Sequence, residues 1–411
     1  MAATKKILYI SYDGMTDPLG QSQVLPYLIG LSKYEYHFTI LSFEKKERYS
    51  GLKPEIEKIC TGAGIIWVPM SFTRTPPIIS KFYDAVRMRL KAFSLYRKHK
   101  FDMIHCRSYL AADIGLSLKR NKKAKFFFDM RGFWADEKKD AGTWKQSSFL
   151  FRRIYRYYKK KEVQFIREAD YIISLTEAGR NEIMKWPSYD PRIPLSVIPC
   201  CSDMDHFTLT TAKDRTNSRE ILGLPEDKLI ISYLGSVGAW YMLDEMLELF
   251  SYIKKQYTGA VFLFITHSEP KMILSKLAKY TLTESDVMIV GASRNQVPVF
   301  TKASDINISF IRPDYSKISS SPTKLGEVLA MGIPVIANAG VGDVESIIDK
   351  TGSGIILKKF NQTEYIRAVE AIPELLRKEP SDIRNRAEDI YSLNIGIKKY
   401  KRCYDQALGD I

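Results

Sequence analysis

Short apolar runs alternate with helix-patterned segments along nearly the whole chain, and the alternation pauses once. Runs at 5–13, 36–44, 64–70, 101–108, 124–132, 169–176 and 195–200 read as buried strands. A second series follows at 228–236, 260–268, 286–292, 305–313, 334–339 and 353–359. The segments between them, such as 25–33, 52–60 and 80–100, carry helical spacing. Strands separated by helices pair in parallel and need cover on both faces, which makes the chain α/β. Between the two series, TLTTAKDRTNSR at 208–219 is polar and turn-rich, and reads as the link between domains. The expected organisation is two doubly wound, Rossmann-like domains, 1–207 and 208–393, followed by a helical segment at 394–411. A length of 411 residues suits two cores better than one.

Sheets of this kind bind ligands beyond the carboxyl ends of their strands, and two facing domains would leave a cleft there. The segment SSPTKLGEVLAMGIPVIANAG, Ser320–Gly340, reads as a loop, a helix start, a short helix, a Gly-Ile-Pro turn and a buried strand. A helix N-terminus offers unpaired N–H groups and a positive dipole end, which suit a phosphate. Lys324 falls in that first turn, where the dipole alone favours an acid. An anionic ligand explains the cation better than helix stability does. Glu327, one turn on, is placed to accept hydrogen bonds from ribose or sugar hydroxyls. The segment therefore reads as a nucleotide-phosphate site.

The formal net charge is +15, which points to nucleic acid, an anionic membrane surface or phosphorylated substrates. The excess gathers in Lys81–Lys100 and Phe149–Arg167, both amphipathic and both rich in aromatics. Basic heads on aromatic bodies suit a membrane interface; the alternative is a pair of ordinary surface helices whose long side chains cover apolar neighbours. No nucleic-acid motif is present, so no nucleic-acid partner is expected. No apolar run is long enough to cross a bilayer, and MAATKK leads straight into a strand without an export signal. The five cysteines form no CxxC pair, and the adjacent Cys200 and Cys201 are poorly placed for a mutual disulfide. A cytoplasmic protein, peripheral at the inner face of the plasma membrane, is the expectation.

Ser320–Gly340 resembles the donor-site segment of glycosyltransferase family 4, whose members have the GT-B fold. Three further stretches resemble that family in the same order. SYDGMTDPLGQSQ (11–23) is similar to its acceptor loop, VIPCCSDMDHF (197–207) to its domain-joining segment, and YLGSVGAW (233–240) to the first strand and turn of its donor domain. The last helix resembles the one that crosses back to the N-terminal domain in that fold. The resemblance implies a retaining transferase that moves a sugar from a nucleotide-sugar to a hydroxyl, in the manner of bacterial surface-glycan or lipopolysaccharide enzymes. It implies donor binding by Gly235, Ser236, Arg294, Ser320, Ser321, Pro322, Thr323, Lys324 and Glu327, with Lys324 and Glu327 central to catalysis. It implies no cofactor beyond the nucleotide-sugar itself, UDP- or GDP-linked. The leaving phosphate would take the proton of the acceptor hydroxyl.

Two departures accompany the match. The first Glu of the family's paired-Glu motif falls at Ser319, and the Gly turn GSVGAWYMLDE carries Trp240 and Tyr241 where the family has an Arg and a Lys. A leaving diphosphate needs its charge stabilised, which leaves Lys324, Arg294 and Arg312 as the cations for that task. A CMP-linked donor, with less phosphate charge, is the alternative this opens. A binding or scaffold protein of the same fold, and more weakly a sugar-nucleotide epimerase, are the other readings.

In the first domain, the acceptor candidates are Gly14, Gly20, Gln21, Arg107, Arg131 and Asp136. Gly14 and Gly20 give the loop a tight path. Arg131 and Asp136 belong to a strand-end cluster with Asp129, Glu137, Trp134 and Trp144, read as anion and sugar recognition or else as a salt-bridged loop packed on its own Trp. His105 on its strand reads as a core residue, and His267 and His206 read as turn and linker residues. No His/Cys/carboxylate cluster has metal-ligand spacing, so no metal is expected.

Overall fold

The computed structural model describes residues 4–122 and 124–410, with the side chains at 77 and 78 outside that description. The chain divides into two units, 1–199 together with 393–411, and 200–392. Each is a parallel sheet wound with helices, as the alternation predicts.

In the first unit β1 (Lys5–Ser11), β2 (Tyr36–Glu44), β3 (Ile66–Ser71), β4 (Met103–Arg107), β5 (Lys125–Asp129), β6 (Tyr171–Ser174) and β7 (Leu195–Val197) lie in the order β3-β2-β1-β4-β5-β6-β7. Their side chains alternate between the two faces. Cys106 faces the Ser108–Lys122 helix, which approaches closely because Gly115 lies there; a Cβ at that position would stand 2.2 Å from Cys106 Sγ. His105 faces the other side and meets the final helix, Leu393–Leu408. Its Nδ1 is 2.6 Å from Tyr404 Oη, and Tyr400 Oη donates to Asp129 Oδ2 at 3.1 Å. Burial lowers the affinity of His105 for a proton, so a neutral imidazole and two tyrosines hold this helix to the first sheet.

In the second unit β8 (Ile230–Leu234), β9 (Val261–Ile265), β10 (Val287–Val290), β11 (Ile306–Ser309), β12 (Val335–Asn338) and β13 (Gly354–Leu357) lie in the order β10-β9-β8-β11-β12-β13. The inner strands are largely buried on both faces, as parallel strands under helices are, and the edge strand β10 is partly buried.

The boundary falls at 199/200, not at the 207/208 read from polarity. Met204 and Phe207 are buried in the second core with Val328 and Leu329. Arg384 ties this stretch down by donating to the carbonyls of Met204 and Phe207. The polar stretch after it is no linker: Ala212–Leu222 is a helix, started by a reciprocal cap between Thr211 and Asp214. The helix expected at 25–33 is Leu25–Leu31, and a further short helix, Pro18–Gln23, lies within the stretch read as a loop.

The two basic segments are helices, Pro77–His99 and Phe149–Glu168, on either side of Ser108–Lys122. Asp113 of the middle helix pairs with Lys161 at 2.6 Å and with Arg89 at 3.8 Å. Their outer faces expose Ile79, Phe82, Tyr83, Val86 and Leu90 on one helix and Phe149, Leu150, Tyr157 and Val163 on the other. Among the described residues, no helix is long and apolar enough to cross a membrane.

Candidate functional site

Strand order reverses at one point in each sheet: β1/β4 in the first unit and β8/β11 in the second. Ligands of open parallel sheets bind in the crevice that the reversal opens at the carboxyl ends.

In the second unit that crevice is formed by the turn after β8 and the segment leading from β11 into the Thr323–Ala330 helix. The turn opens with Gly235 at φ +124, and Gly238 follows at φ +94. Only a glycine leaves room for what crosses it: a Cβ on Gly235 would lie 2.1 Å from Lys324 Nζ. Lys324 is in the first turn of its helix, and no side chain caps that end. Its ammonium donates to Tyr233 Oη at 3.3 Å and stands 3.7 Å from the ring centre of Tyr241 and 4.9 Å from that of Tyr233. Burial pushes Lys324 down to about 7 against the opposing pull of Glu327. Burial likewise pushes Glu327 up to about 7, against Arg294 and Lys324. Lys324, Glu327 and Arg294, three residues singled out from the sequence, thus share one electrostatic environment.

The two aromatics of the turn are not bare. Trp240 lies between Arg312, 4.9 Å from the ring centre, and Lys317, 3.7 Å from it. Lys317 is a site residue that sequence reading missed; its one signal was a Lys inside the loop that leads to the donor helix. The remaining residues of that loop mainly shape backbone. Ser319 is buried and donates to Ser316 O at 3.0 Å, within a 3₁₀ turn, Tyr315–Ser319. Ser321 Oγ accepts from the N–H of Cys200 at 3.1 Å. Ser320 is the residue after the 3₁₀ turn, and Pro322 caps the helix that Thr323 begins. Ser236 lends its carbonyl to Tyr233 Oη at 2.6 Å, which fixes the phenol under Lys324. His267 and His206 each face a backbone carbonyl, of Ala292 and Arg294 respectively.

In the first unit the loop after β1 is fixed by Glu44, a buried residue at the end of β2. Its carboxylate accepts from Met15 N, Thr16 N, Thr16 Oγ1 and Ser42 Oγ, between 2.6 and 3.1 Å. Gly14 passes so close that a Cβ would lie 2.6 Å from Glu44 Oε2, and a Cβ on Gly20 would lie 2.1 Å from Gly14 O. Gln21 closes the same loop by donating to Thr16 O at 3.1 Å. Glu44 was also missed; a single acid ending an apolar strand was its trace in the sequence. Arg107 ends β4, and Arg131, at φ +55, follows β5 with its Nη1 3.9 Å from Asp129 Oδ1. Asp136 is buried, and its oxygens accept from Tyr155 Oη at 2.7 Å and Lys159 Nζ at 2.8 Å. Trp134 and Trp144 pack edge to face at 5.2 Å, with Tyr158 against both. The Trp-rich loop is thus the salt-bridged, self-packed structure that was the alternative reading, and Asp136 serves it. Among the described residues, no group of three or more His, Cys, Asp or Glu is gathered as a metal would require.

Residues 33–206 match the family described as Glycosyltransferase Family 4, and residues 214–389 match Glycosyl transferases group 1. A D-inositol 3-phosphate glycosyltransferase of Geodermatophilus obscurus is 26% identical over 233 residues, which is 53% of this chain. The chain spans about half, 48%, of the length of that curated relative. A sucrose-phosphate synthase from Thermosynechococcus elongatus superposes with a TM-score of 0.70 at 16% identity, over 99% of this chain and 100% of that one. Anabaena HepE in complex with UDP and glucose superposes with a TM-score of 0.71 at 12% identity, over 98% of this chain and 99% of that one. At such identities the likeness shows the fold, and that fold is GT-B.

Two predictions follow from the Lys324 geometry. In Gly235→Ala the new Cβ displaces the flexible end of Lys324, and an alanine at φ +124 adds backbone strain, so the cation loses its place. UDP affinity, measured by calorimetry, is expected to fall about tenfold or more, the worth of a charge-assisted hydrogen bond. Adding Lys324→Ala to that variant should cost little more; additive losses would show that the two residues act independently. The second concerns pH. A phosphate favours the charged form of Lys324, so binding near pH 7 takes up protons. Raising pH through 7 discharges Lys324 and charges Glu327, and both changes weaken an anion. UDP affinity should therefore decline from pH 6.5 to 8.5, and a flat profile would contradict the assignment.

Proposed function

Because the chain belongs to the group 1 glycosyltransferases of family 4, we propose that it transfers a sugar, with retention, from a nucleotide-sugar to a hydroxyl of a glycan or lipid-linked acceptor in surface polysaccharide biosynthesis. The observation that carries this reading is Lys324 laid across Gly235 at the strand-order reversal, with Glu327 one helical turn away and Arg294 beside it. A cation there meets the donor phosphates, and Glu327 meets the ribose hydroxyls. The UDP and glucose held by Anabaena HepE, a protein of the same fold, support a UDP-linked donor. In the transfer the bond from the anomeric carbon to the phosphate oxygen breaks. The acceptor oxygen bonds the same carbon on the same face, and its proton passes to the departing phosphate. The charge that develops on the phosphate is met by Lys324 and its neighbouring cations, so this reading needs no metal.

Donor hydrolysis and transfer assayed across UDP-, GDP- and CMP-sugars test it. Lys324→Ala and Glu327→Ala are each expected to lower turnover about 100-fold or more, the scale seen when one transition-state donor is removed. One observation favours a second reading, a sugar-nucleotide-binding protein without turnover: Ser319 stands where a carboxylate would, with its hydroxyl committed to Ser316 O. Tight UDP binding without turnover on any donor, with lipid acceptors present, would decide for that reading.

The paired helices Pro77–His99 and Phe149–Glu168 support a place at an anionic membrane surface. Phe82 and Leu90 are 73% and 67% exposed, and Lys81, Arg89, Arg152, Arg153 and Arg156 stand out into solvent near such side chains. The full chain should sediment with phosphatidylglycerol vesicles at low salt and be released as salt rises. Phe82→Ser with Leu90→Ser should weaken that binding about tenfold, since each side chain buries roughly 1.5–3 kcal/mol of apolar surface at most. Binding indifferent to salt and to these changes would remove the membrane role.

A further inference from the structure

Arg107 ends β4 beside β1, at the reversal of strand order in the first sheet. Its side chain is 6% exposed. Its Nε is buried without a hydrogen-bond partner among the described residues. The nearest carboxylate oxygen, Asp13 Oδ2, is 3.8 Å from that nitrogen, beyond hydrogen-bond reach, on a side chain that is itself half exposed. The buried carboxylate of this region, Asp129, is shared among several groups, and its Oδ1 accepts no hydrogen bond among the described residues. Asp129 faces Arg131 at 3.9 Å, accepts from Tyr400 Oη at 3.1 Å and lies 3.4 Å from His105 Nε2. Asp129 and Arg131 balance each other, and His105 is held neutral by burial. Arg107 is thus a buried guanidinium whose Nε makes no hydrogen bond among the described residues and whose ion-pair partner, Asp13, is half exposed and at 3.8 Å.

A buried charge that lacks hydrogen bonds is costly, and a guanidinium fork matches the two oxygens of a phosphate or a carboxylate. Its position at the carboxyl end of β4 is where a parallel sheet presents side chains to a ligand. We propose that Arg107 binds an anionic group of the acceptor, a phosphate or a carboxylate, in the crevice between the ends of β1 and β4. The acceptor is then a charged molecule, and Asp13 at the rim weakens the site enough for product to leave. That the anion belongs to an acceptor rests on the glycosyl-transfer reading; that the site takes an anion does not.

Calorimetry on the full chain tests this with inorganic phosphate, glycerol 3-phosphate and glucuronate as soluble probes and phosphatidylglycerol vesicles as the lipid source. At least one of these should bind in a manner that Arg107→Gln weakens about tenfold or more. Arg107→Lys should restore only part of it, because an ammonium lacks the fork. Asp13→Asn should tighten it severalfold, a gain that a merely structural arginine does not produce. Dependence on Arg107 for the soluble esters or the glucuronate identifies a water-soluble anion, and dependence for the vesicles alone identifies a lipid headgroup. UDP affinity is measured on the same samples and should be unchanged in Arg107→Gln. The proposal falls if no probe binds, if Arg107→Gln binds every probe like the parent while keeping its circular dichroism, or if Lys324→Ala abolishes the binding and Arg107→Gln does not. Absent UDP binding in all variants, with Arg107-dependent phosphate binding intact, would sink the transferase reading and leave the anion site standing.

Discussion

The crevice at the strand-order reversal of the second unit depends on one contact, the ammonium of Lys324 near the face of Tyr241 beside a glycine that has no side chain. An aromatic face stabilises a cation by about 0.5–2 kcal/mol without neutralising it. A carboxylate partner would have done the same work and cancelled the charge. Burial then leaves Lys324 near its titration point, so a phosphate that arrives gains a cation that the empty site holds only in part. Trp240 likewise has Arg312 and Lys317 near its ring, though there Asp314 pairs with Arg312. A turn that looks deficient in charge along the chain is therefore the floor on which cations from another segment rest.

The first unit reaches its own strand-order reversal by the opposite means. There a buried carboxylate, Glu44, gathers the backbone N–H groups of Met15 and Thr16 and sets the path of the loop. Gly14 and Gly20 are required because that loop folds against Glu44 and against itself. The carboxylate is spent on structure, and the arginine at the neighbouring strand end makes an ion pair with Asp13 but no hydrogen bond at Nε among the described residues. In both units fixed backbone at the reversal comes from glycine, and the groups left with capacity are cations.

The strands were legible because parallel strands under two layers of helix are mostly apolar, and few other segments of this chain are. Lys324 and Glu327 were legible for a related reason: a cation in a first helical turn opposes the local dipole and so asks for an explanation. Lys317 and Glu44 were not, since their meaning lies in partners brought near by the sheet rather than by the sequence. Asp136 is a different case. Its neighbours along the chain are Trp, Arg and Glu, which suggest a recognition loop, whereas Tyr155 and Lys159 on the following helix take both its oxygens. The domain boundary was displaced likewise: polarity marked 208–219, but a capped helix can be polar on its outer face, and the buried Met204 and Phe207 decide where the second core begins.

The two departures from the family pattern bear on the donor together. Loss of a carboxylate at Ser319 removes one negative charge from the donor end, and loss of the turn cations removes positive ones. Taken singly, the second loss argues for a donor with a single phosphate. Taken with the geometry it does not, because Lys324, Lys317 and Arg312 lie on the rings that replaced those cations, and Arg294 stands near Glu327. Against them stand Glu327, held partly protonated by burial, and Asp314, which pairs with Arg312 at 2.5 Å. On the proposed reading, cations standing on the rings where the family has its own are compatible with a nucleoside diphosphate sugar, and the carboxylate that the family sets at Ser319 is the sugar contact that differs.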